Sequence, residues 1–172
     1  MRARGRAVLL LSFAALSGCQ SAPQLPSTPA PAACQLAAFG AAPGHELVKP
    51  KKPAKNATRD AIPVNQGIQA AGKWVDAAPG WRAWRYWLRS EQATSIAVRI
   101  QPFELPPGAE FWLCSPDRTT RRGPVTGKGF GDVGQYRSPE VPGPELWLEV
   151  LAPAGAEKDV AFVVAEAFAA AP

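Results

Sequence analysis

Short runs in which apolar and polar residues alternate with period two most constrain the fold of this chain. In one run, Trp84, Tyr86 and Leu88 alternate with arginine or tryptophan. The same alternation recurs within residues 96–100, 111–113 and 146–150. A last run places five residues on one face: Val160, Phe162, Val164, Glu166 and Phe168. Such alternation is typical of strands that are buried on one face.

Turn sequences such as Pro106-Pro107-Gly108 and Pro142-Gly143-Pro144 separate these runs. Short strands at regular spacing predict an all-β fold, a single jelly-roll-like β-sandwich over residues 60–172. A segment of this length can bury one ordinary hydrophobic core. Residues 19–59 are rich in proline, alanine and lysine, and we expect them to form a flexible tether.

The first 18 residues have the composition of a secretory signal peptide. Three arginines precede an apolar run at 7–16, which is shorter than the ~20 residues that a membrane-spanning helix needs. The sequence Leu16-Ser17-Gly18-Cys19 resembles the lipobox of bacterial lipoproteins. This resemblance implies that Cys19 is acylated, for example with palmitate, and anchors the protein in a membrane. Gln20 after the cysteine implies the outer membrane, facing the periplasm or the exterior.

The charge distribution argues against a nucleic-acid partner. The whole chain carries a formal charge of +5, but residues 60–172 contain 11 basic and 13 acidic side chains. The folded part therefore lacks the basic footprint of a nucleic-acid binder. Four lysines (Lys49, Lys51, Lys52 and Lys55) lie in the predicted tether. We interpret them as a solvated linker, with contact to anionic lipid headgroups as the alternative.

Cys34 and Cys114 form an even pair once Cys19 is assigned to lipid. Disulfides persist in oxidising compartments, so we expect the two to be bonded to each other. Two free thiols, one of them a redox site, are the alternative, although the sequence has no Cys-x-x-Cys motif.

No motif in the sequence predicts a metal, a cofactor or a catalytic site. Acidic residues are scattered without the spacing of a calcium loop, and zinc ligands are lacking. Residues 129–134 spell Gly-x-Gly-x-x-Gly, but Pro139 denies the long helix that a dinucleotide site needs. We interpret this stretch as a glycine loop at one end of the sandwich. The single histidine, His45, lies ahead of the predicted domain.

Three stretches, taken in order, resemble a known module. They are residues 80–90 (a glycine turn, Trp-Arg and an alternating strand), 95–113 (with Phe-x-Leu-Pro-Pro-Gly-Ala at 103–109) and 123–150. The module is the N-terminal, non-catalytic β-sandwich of secreted lysyl-endopeptidase-type, trypsin-like proteases. The resemblance implies a β-sandwich. It also argues against peptidase activity, because a Ser-His-Asp arrangement needs a histidine that residues 60–172 lack.

Aromatic residues on the polar phase of the strands are the best candidate for a binding surface. If Trp84, Tyr86 and Leu88 face the core, five other side chains point outward: Trp87, Trp112, Trp147, Arg85 and Arg89. Tryptophan and arginine are enriched where proteins bind partners. A second interpretation is a lid: a Cys34–Cys114 bond would draw residues 34–48 across this face, covering the tryptophans with Leu36, Phe39, Leu47 and Val48.

These observations predict a membrane-anchored binding module of the cell envelope. The favoured ligand is a protein, and a secreted hydrolase is the favoured class. The alternative is a carbohydrate- or peptidoglycan-binding lipoprotein, because sandwiches with exposed tryptophans can stack sugar rings. A hydrolase with an atypical site is the weakest hypothesis, since the sequence offers one histidine and scattered carboxylates.

Overall fold

The computed structural model describes residues 25–35, 42–48 and 61–172. These residues form a β-sandwich of two sheets, which confirms the predicted fold class. The strands are β1 (Gly44–Glu46), β2 (Ala61–Gly67), β3 (Lys73–Ala78), β4 (Trp81–Arg89), β5 (Ser95–Glu104), β6 (Glu110–Cys114), β7 (Arg121–Val125), β8 (Tyr136–Arg137), β9 (Val141–Pro142), β10 (Glu145–Pro153) and β11 (Ala161–Ala170).

Helical structure in the described residues is confined to α1 (Ile68–Ala71) and a 3₁₀ turn at Glu157–Asp159. Within these parts of the chain, no helix has the length and apolar character needed to cross a bilayer.

The first sheet has six strands in the order β1-β4-β10-β6-β7, and β3 also pairs with β4. The second sheet has the order β2-β11-β5-β8, and β9 also pairs with β5. Most neighbours are antiparallel, whereas β1 runs parallel to β4. Strand β4 is paired along both edges, because β10 covers one edge while β3 and β1 share the other.

The core between the sheets comes from the inward phase of the alternating strands. Phe103 of β5 is fully buried, and its ring lies 5.6 Å from that of Phe111 and 6.2 Å from that of Phe162. The Trp84 ring meets the Phe162 ring edge-on at 5.4 Å. The predicted inward faces of β4, β5, β6 and β10 are therefore correct. Their aromatic side chains join the two sheets.

Strand β11 departs from the predicted alternation. Its pairing with both neighbours shifts between Val164 and Glu166, which is a β-bulge. A bulge adds one residue to the strand, so the side chains that follow it point to the opposite face of the sheet. Ala167 and Ala169 are therefore buried, while Glu166 is only partly buried and bonds Arg99 at 2.9 Å. The prediction that Glu166 and Phe168 continue the inward face was wrong.

Part of the predicted tether belongs to the sandwich. Residues 25–35, which we name the strap, cross the first sheet, and β1 adds a short strand to its edge. Ala33, Cys34 and Leu47 are each less than 10% exposed. Composition indicated a flexible segment over 19–59, but these stretches bury side chains against the sheet instead. Cys19 and the four tether lysines lie outside the described residues.

The aromatic core predicts a steep dependence of stability on Phe103. Replacing Phe103 with alanine should lower the free energy of unfolding by about 3–5 kcal/mol, because it removes a buried ring and leaves a cavity. Phe130→Ala is the matched control, since that ring is 86% exposed and its loss should be nearly neutral. Urea denaturation measures both. Equal losses in the two variants would contradict the assignment of the core.

Candidate functional site

The predicted surface residues lie together on the outer face of the first sheet. In the register of the strands, Trp147 of β10 is opposite Trp87 of β4 on one side and Cys114 of β6 on the other. One step along, Glu149 is opposite Arg85 and Trp112. The outward phase predicted for these side chains is therefore correct. We call this surface the tryptophan face.

The strap covers one part of the tryptophan face. The indole N–H of Trp81 donates a hydrogen bond to the Thr28 carbonyl at 2.9 Å, and the Thr28 hydroxyl donates to the Pro79 carbonyl at 2.6 Å. Ala33 and Cys34 pack with Trp81, Ala83 and Leu151 in a small second core. Trp112 and Trp147 lie at its border and are half-buried.

Residues 42–44 cover a second part of this face. The Trp87 indole donates to the Ala42 carbonyl at 3.0 Å, and Gly44 lies directly against the ring. A Cβ on Gly44 would come within 1.8 Å of the Trp87 Cδ2 atom, so only glycine permits this approach. The guanidinium of Arg89 lies 5.1 Å from the centre of the same ring. Trp87 is therefore enclosed by the chain's own backbone and by a cation.

The lid expected from the sequence exists, but different residues form it. Leu47 belongs to the main core rather than to the tryptophan face, and Val48 is 75% exposed. Those two assignments were wrong, because β1 places residues 44–46 at the edge of the sheet instead of across it. Leu36 and Phe39 lie outside the described residues. The strap and residues 42–44 cover the tryptophan face instead.

A disulfide joins Cys34 to Cys114, as the even pair of cysteines predicted. Cys34 adopts a positive φ of 61°, which turns the chain at the end of the strap. The bond spans a sequence separation of 80 residues and fixes the strap to β6. The alternative of two free thiols is therefore wrong. Cys19, the predicted lipidation site, lies outside the described residues, so its acylation remains a prediction.

A buried carboxylate anchors the same end of the strap. Glu149 is 2% exposed; one of its oxygens accepts the Cys34 backbone N–H at 2.9 Å, and the other lies 2.5 Å from Nε of Arg85. Burying a carboxylate is costly unless it is paired and hydrogen-bonded. The alternation placed Glu149 on this face, but it gave no sign that the strap would bury it. The docking of an otherwise distant segment is what makes Glu149 structural.

A recess of about 160 Å³ remains open between the end of the strap and the turn that follows β6. The disulfide, the Arg85–Glu149 pair, Trp147 and Arg118 line it. Hydrogen bonds from the Ser115 hydroxyl and from the backbone and hydroxyl of Thr119 to the Asp117 carboxylate hold this turn together. The same bonds keep the pKa of Asp117 below its usual range. Arg118 is exposed at the rim. The recess offers a half-buried indole ring and an exposed cation beside the disulfide and the Arg85–Glu149 pair.

Arg89 lies at the far edge of the tryptophan face and is held by acidic neighbours. Its Nε donates to Glu145 at 2.8 Å, and Glu46 lies 3.6 Å from another guanidinium nitrogen. The hydrogen bond with Glu145 raises the pKa of Arg89 above its ordinary value. Glu145 also accepts the indole N–H of Trp147. Arg89 therefore stabilises the surface around Trp147 rather than standing free.

The described residues do not assemble a metal site. Nowhere within residues 25–35, 42–48 and 61–172 do three His, Cys, Asp or Glu side chains converge as ligands. His45 lies in β1, opposite Leu88 of β4.

The family model described as the lysyl endopeptidase N-terminal domain matches residues 27–165. The matched region contains the strap from residue 27 onward and both sheets except the last part of β11, so it begins well inside the segment predicted as a tether. No curated protein and no solved structure matches the chain.

Removing the disulfide should destabilise the protein strongly. A Cys34→Ala, Cys114→Ala double variant should lose about 4 kcal/mol, because the bond closes a long loop in the unfolded chain. Urea denaturation with and without reductant measures the loss. Reduced wild type should approach the double variant, and the variant should not respond to reductant. Unchanged stability in both would contradict a structural bond.

Removing the charge of Glu149 should loosen the strap. Glu149→Gln keeps an oxygen for the Cys34 N–H but removes the buried negative charge that pairs with Arg85, so we expect a loss of about 3 kcal/mol. Hydrogen exchange should increase first within residues 25–35. Asp76→Asn is the matched control, because Asp76 is 89% exposed in its pair with Arg82 and should matter far less.

Proposed function

Because the chain belongs to the lysyl endopeptidase N-terminal domain family, we propose that it is a non-catalytic accessory module that binds a protein partner at the bacterial cell envelope. The observation that carries this proposal is the family match, which covers most of the strap and both sheets except the last part of β11. A domain of this family stands ahead of a protease in the proteins that give the family its name. A secreted hydrolase is therefore the favoured class of partner.

The recess beside the disulfide is the favoured contact surface. Trp147 is half-buried there and Arg118 is exposed, and these two residue types dominate the energetics of protein interfaces. The frame around them is fixed by the disulfide and by the Arg85–Glu149 pair. A surface that is already ordered before binding loses less entropy when a partner docks.

A sugar-binding role finds less support in the same geometry. Stacking of a sugar needs an open ring face, but Gly44 lies against the face of Trp87. The indole N–H groups of Trp112 and Trp147 are bonded to Glu110 and Glu145 and do not offer free donors. A protein partner can use the partly exposed ring edges together with Arg118.

We place the module on the envelope through lipid at Cys19, in the outer membrane. The lipobox-like sequence supports the anchor, and acylation with more than one chain gives stable attachment. The Cys34–Cys114 bond supports an oxidising compartment such as the periplasm or the cell surface. A Cys19→Ala variant should leave the membrane fraction, and acylation should be visible as added mass on the N-terminal peptide.

Affinity capture from detergent-solubilised envelopes of the source cells tests partner binding. We expect the full chain to retain one partner in near-stoichiometric amount, and Trp147→Ala or Arg118→Ala to reduce its recovery at least about tenfold, as interface anchors do. Mass spectrometry then identifies the partner, and a secreted hydrolase would support the favoured class.

Lys158→Ala is the matched control, because Lys158 is an exposed cation in the 3₁₀ turn that follows β10, whereas residues near the start of β10 line the recess. It should leave capture unchanged, and thermal melting should show that all variants are folded. Capture that is insensitive to Trp147 and Arg118 would overturn the proposed surface. Retention on insoluble glycan that is lost in Trp147→Ala would favour the carbohydrate alternative instead.

A further inference from the structure

We propose that one end of the sandwich contacts the lipid bilayer directly, through Phe130 and Val133 of the glycine loop 129–134. This inference rests on the lipid anchor in the proposed function and adds an orientation to it. The contacting end contains the turn at 105–108, the glycine loop and the start of the strap. The recess beside the disulfide then lies toward the opposite end, away from the bilayer.

Only a short stretch of chain separates the proposed anchor at Cys19 from the folded domain. Composition alone predicted a leash of about 40 residues, but the strap is already part of the sandwich at Leu25. Six residue steps separate Cys19 from Leu25, which span at most about 20 Å when fully extended. An acylated Cys19 would therefore hold the Leu25 end of the domain close to the membrane surface.

The start of the strap is fixed to one end of the sandwich. The Leu25 side chain lies against Gly108, where an added Cβ would be 2.4 Å from its Cδ2 atom. Pro26 contacts Gly80, and Trp81 holds Thr28 by a hydrogen bond. Gly108 follows β5 and Gly80 precedes β4, so both turns belong to the same end.

Backbone hydrogen bonds place the glycine loop at that end. The backbone N–H of Leu105 donates to the Gly127 carbonyl at 3.0 Å, and that of Phe103 donates to the Gly134 carbonyl at 2.6 Å. Phe130 and Gln135 exchange two backbone hydrogen bonds of 2.7 and 2.8 Å, which close the turn at residues 131–134 that forms the tip of the loop. The loop is therefore a fixed projection from the end where β5 finishes.

Exposed apolar side chains are concentrated at the same end. Within the described residues, four large apolar side chains remain well exposed, and three of them lie at this end: Leu25 at 63%, Phe130 at 86% and Val133 at 57%. Clustered exposed apolar groups mark surfaces that contact a membrane or a partner. The short connection to Cys19 selects the membrane.

Charge at this end favours apolar insertion over electrostatic attraction. Lys128 and Lys158 are exposed there, but so are Glu104, Asp132 and Asp159. With acidic side chains slightly in excess, the described residues of this end form no basic patch that would seek anionic headgroups. We therefore expect contact to be equally strong on zwitterionic and anionic bilayers and insensitive to salt.

The test uses the full acylated chain in phosphatidylcholine vesicles that contain doxyl-labelled lipid. An environment-sensitive fluorophore is attached at Lys128→Cys, two residues before Phe130, or at Arg118→Cys, at the opposite end. We expect doxyl lipid to quench the label at position 128 but not the label at 118. Adding Phe130→Asp should abolish most of the quenching at 128, while the folded state, checked by thermal melting, stays intact.

Three results would overturn the inference: stronger quenching at 118 than at 128, no quenching at either site, or quenching at 128 that Phe130→Asp leaves unchanged. A docking pocket on another protein would give the second result. Vesicle flotation and the mass of the acylated N-terminal peptide report the anchor separately. Protein that floats and carries lipid but shows no quenching refutes the orientation while leaving the proposed anchor intact.

A second variant tests the short connection itself. Inserting a flexible linker of about 20 Gly/Ser residues between Cys19 and Leu25 lowers the local concentration of the loop at the bilayer. We expect flotation to persist and quenching at 128 to fall by several fold. Undiminished quenching would show that the short connection does not set the orientation.

Discussion

The attachment of the strap to β6 through the Cys34–Cys114 bond is the interaction on which the rest of the outer surface depends. It brings the Cys34 backbone N–H onto Glu149, and this places a carboxylate, a guanidinium and a disulfide in one buried group. Each part needs the others. Without the strap, Glu149 would face water, and without Glu149 the Cys34 backbone N–H would lose its acceptor.

The strap also decides what the tryptophan face can do. An uncovered face would be a broad aromatic platform, whereas the covered face leaves a recess at one end of the strap and a half-buried ring at its border. The covering segment therefore converts a general apolar surface into a small, rigid site. Because the strap docks from Leu25 onward, it also leaves only a short connection to the proposed anchor at Cys19. The same segment therefore shapes the exposed surface and limits how the domain is oriented at a membrane.

Much of the fold was accessible from the sequence because one-sided burial imposes period two on β-strands. The inward residues of β4, β5, β6 and β10 follow directly from that rule. The rule failed in β11, where the bulge after Val164 reverses the phase. It also gave no signal for β1, because a three-residue strand is too short to show a period and is stabilised by its parallel neighbour.

The sequence by itself determined the sandwich, the outward phase of Trp87, Trp112 and Trp147, and an even pair of cysteines. These properties follow from local alternation and from residue counts. Only the tertiary structure decided that residues 25–35 dock, that Glu149 is buried and that Trp87 is enclosed by Gly44. Those outcomes arise from contacts between segments far apart in the chain, and the composition of the strap, rich in proline and alanine, is equally compatible with a solvated linker.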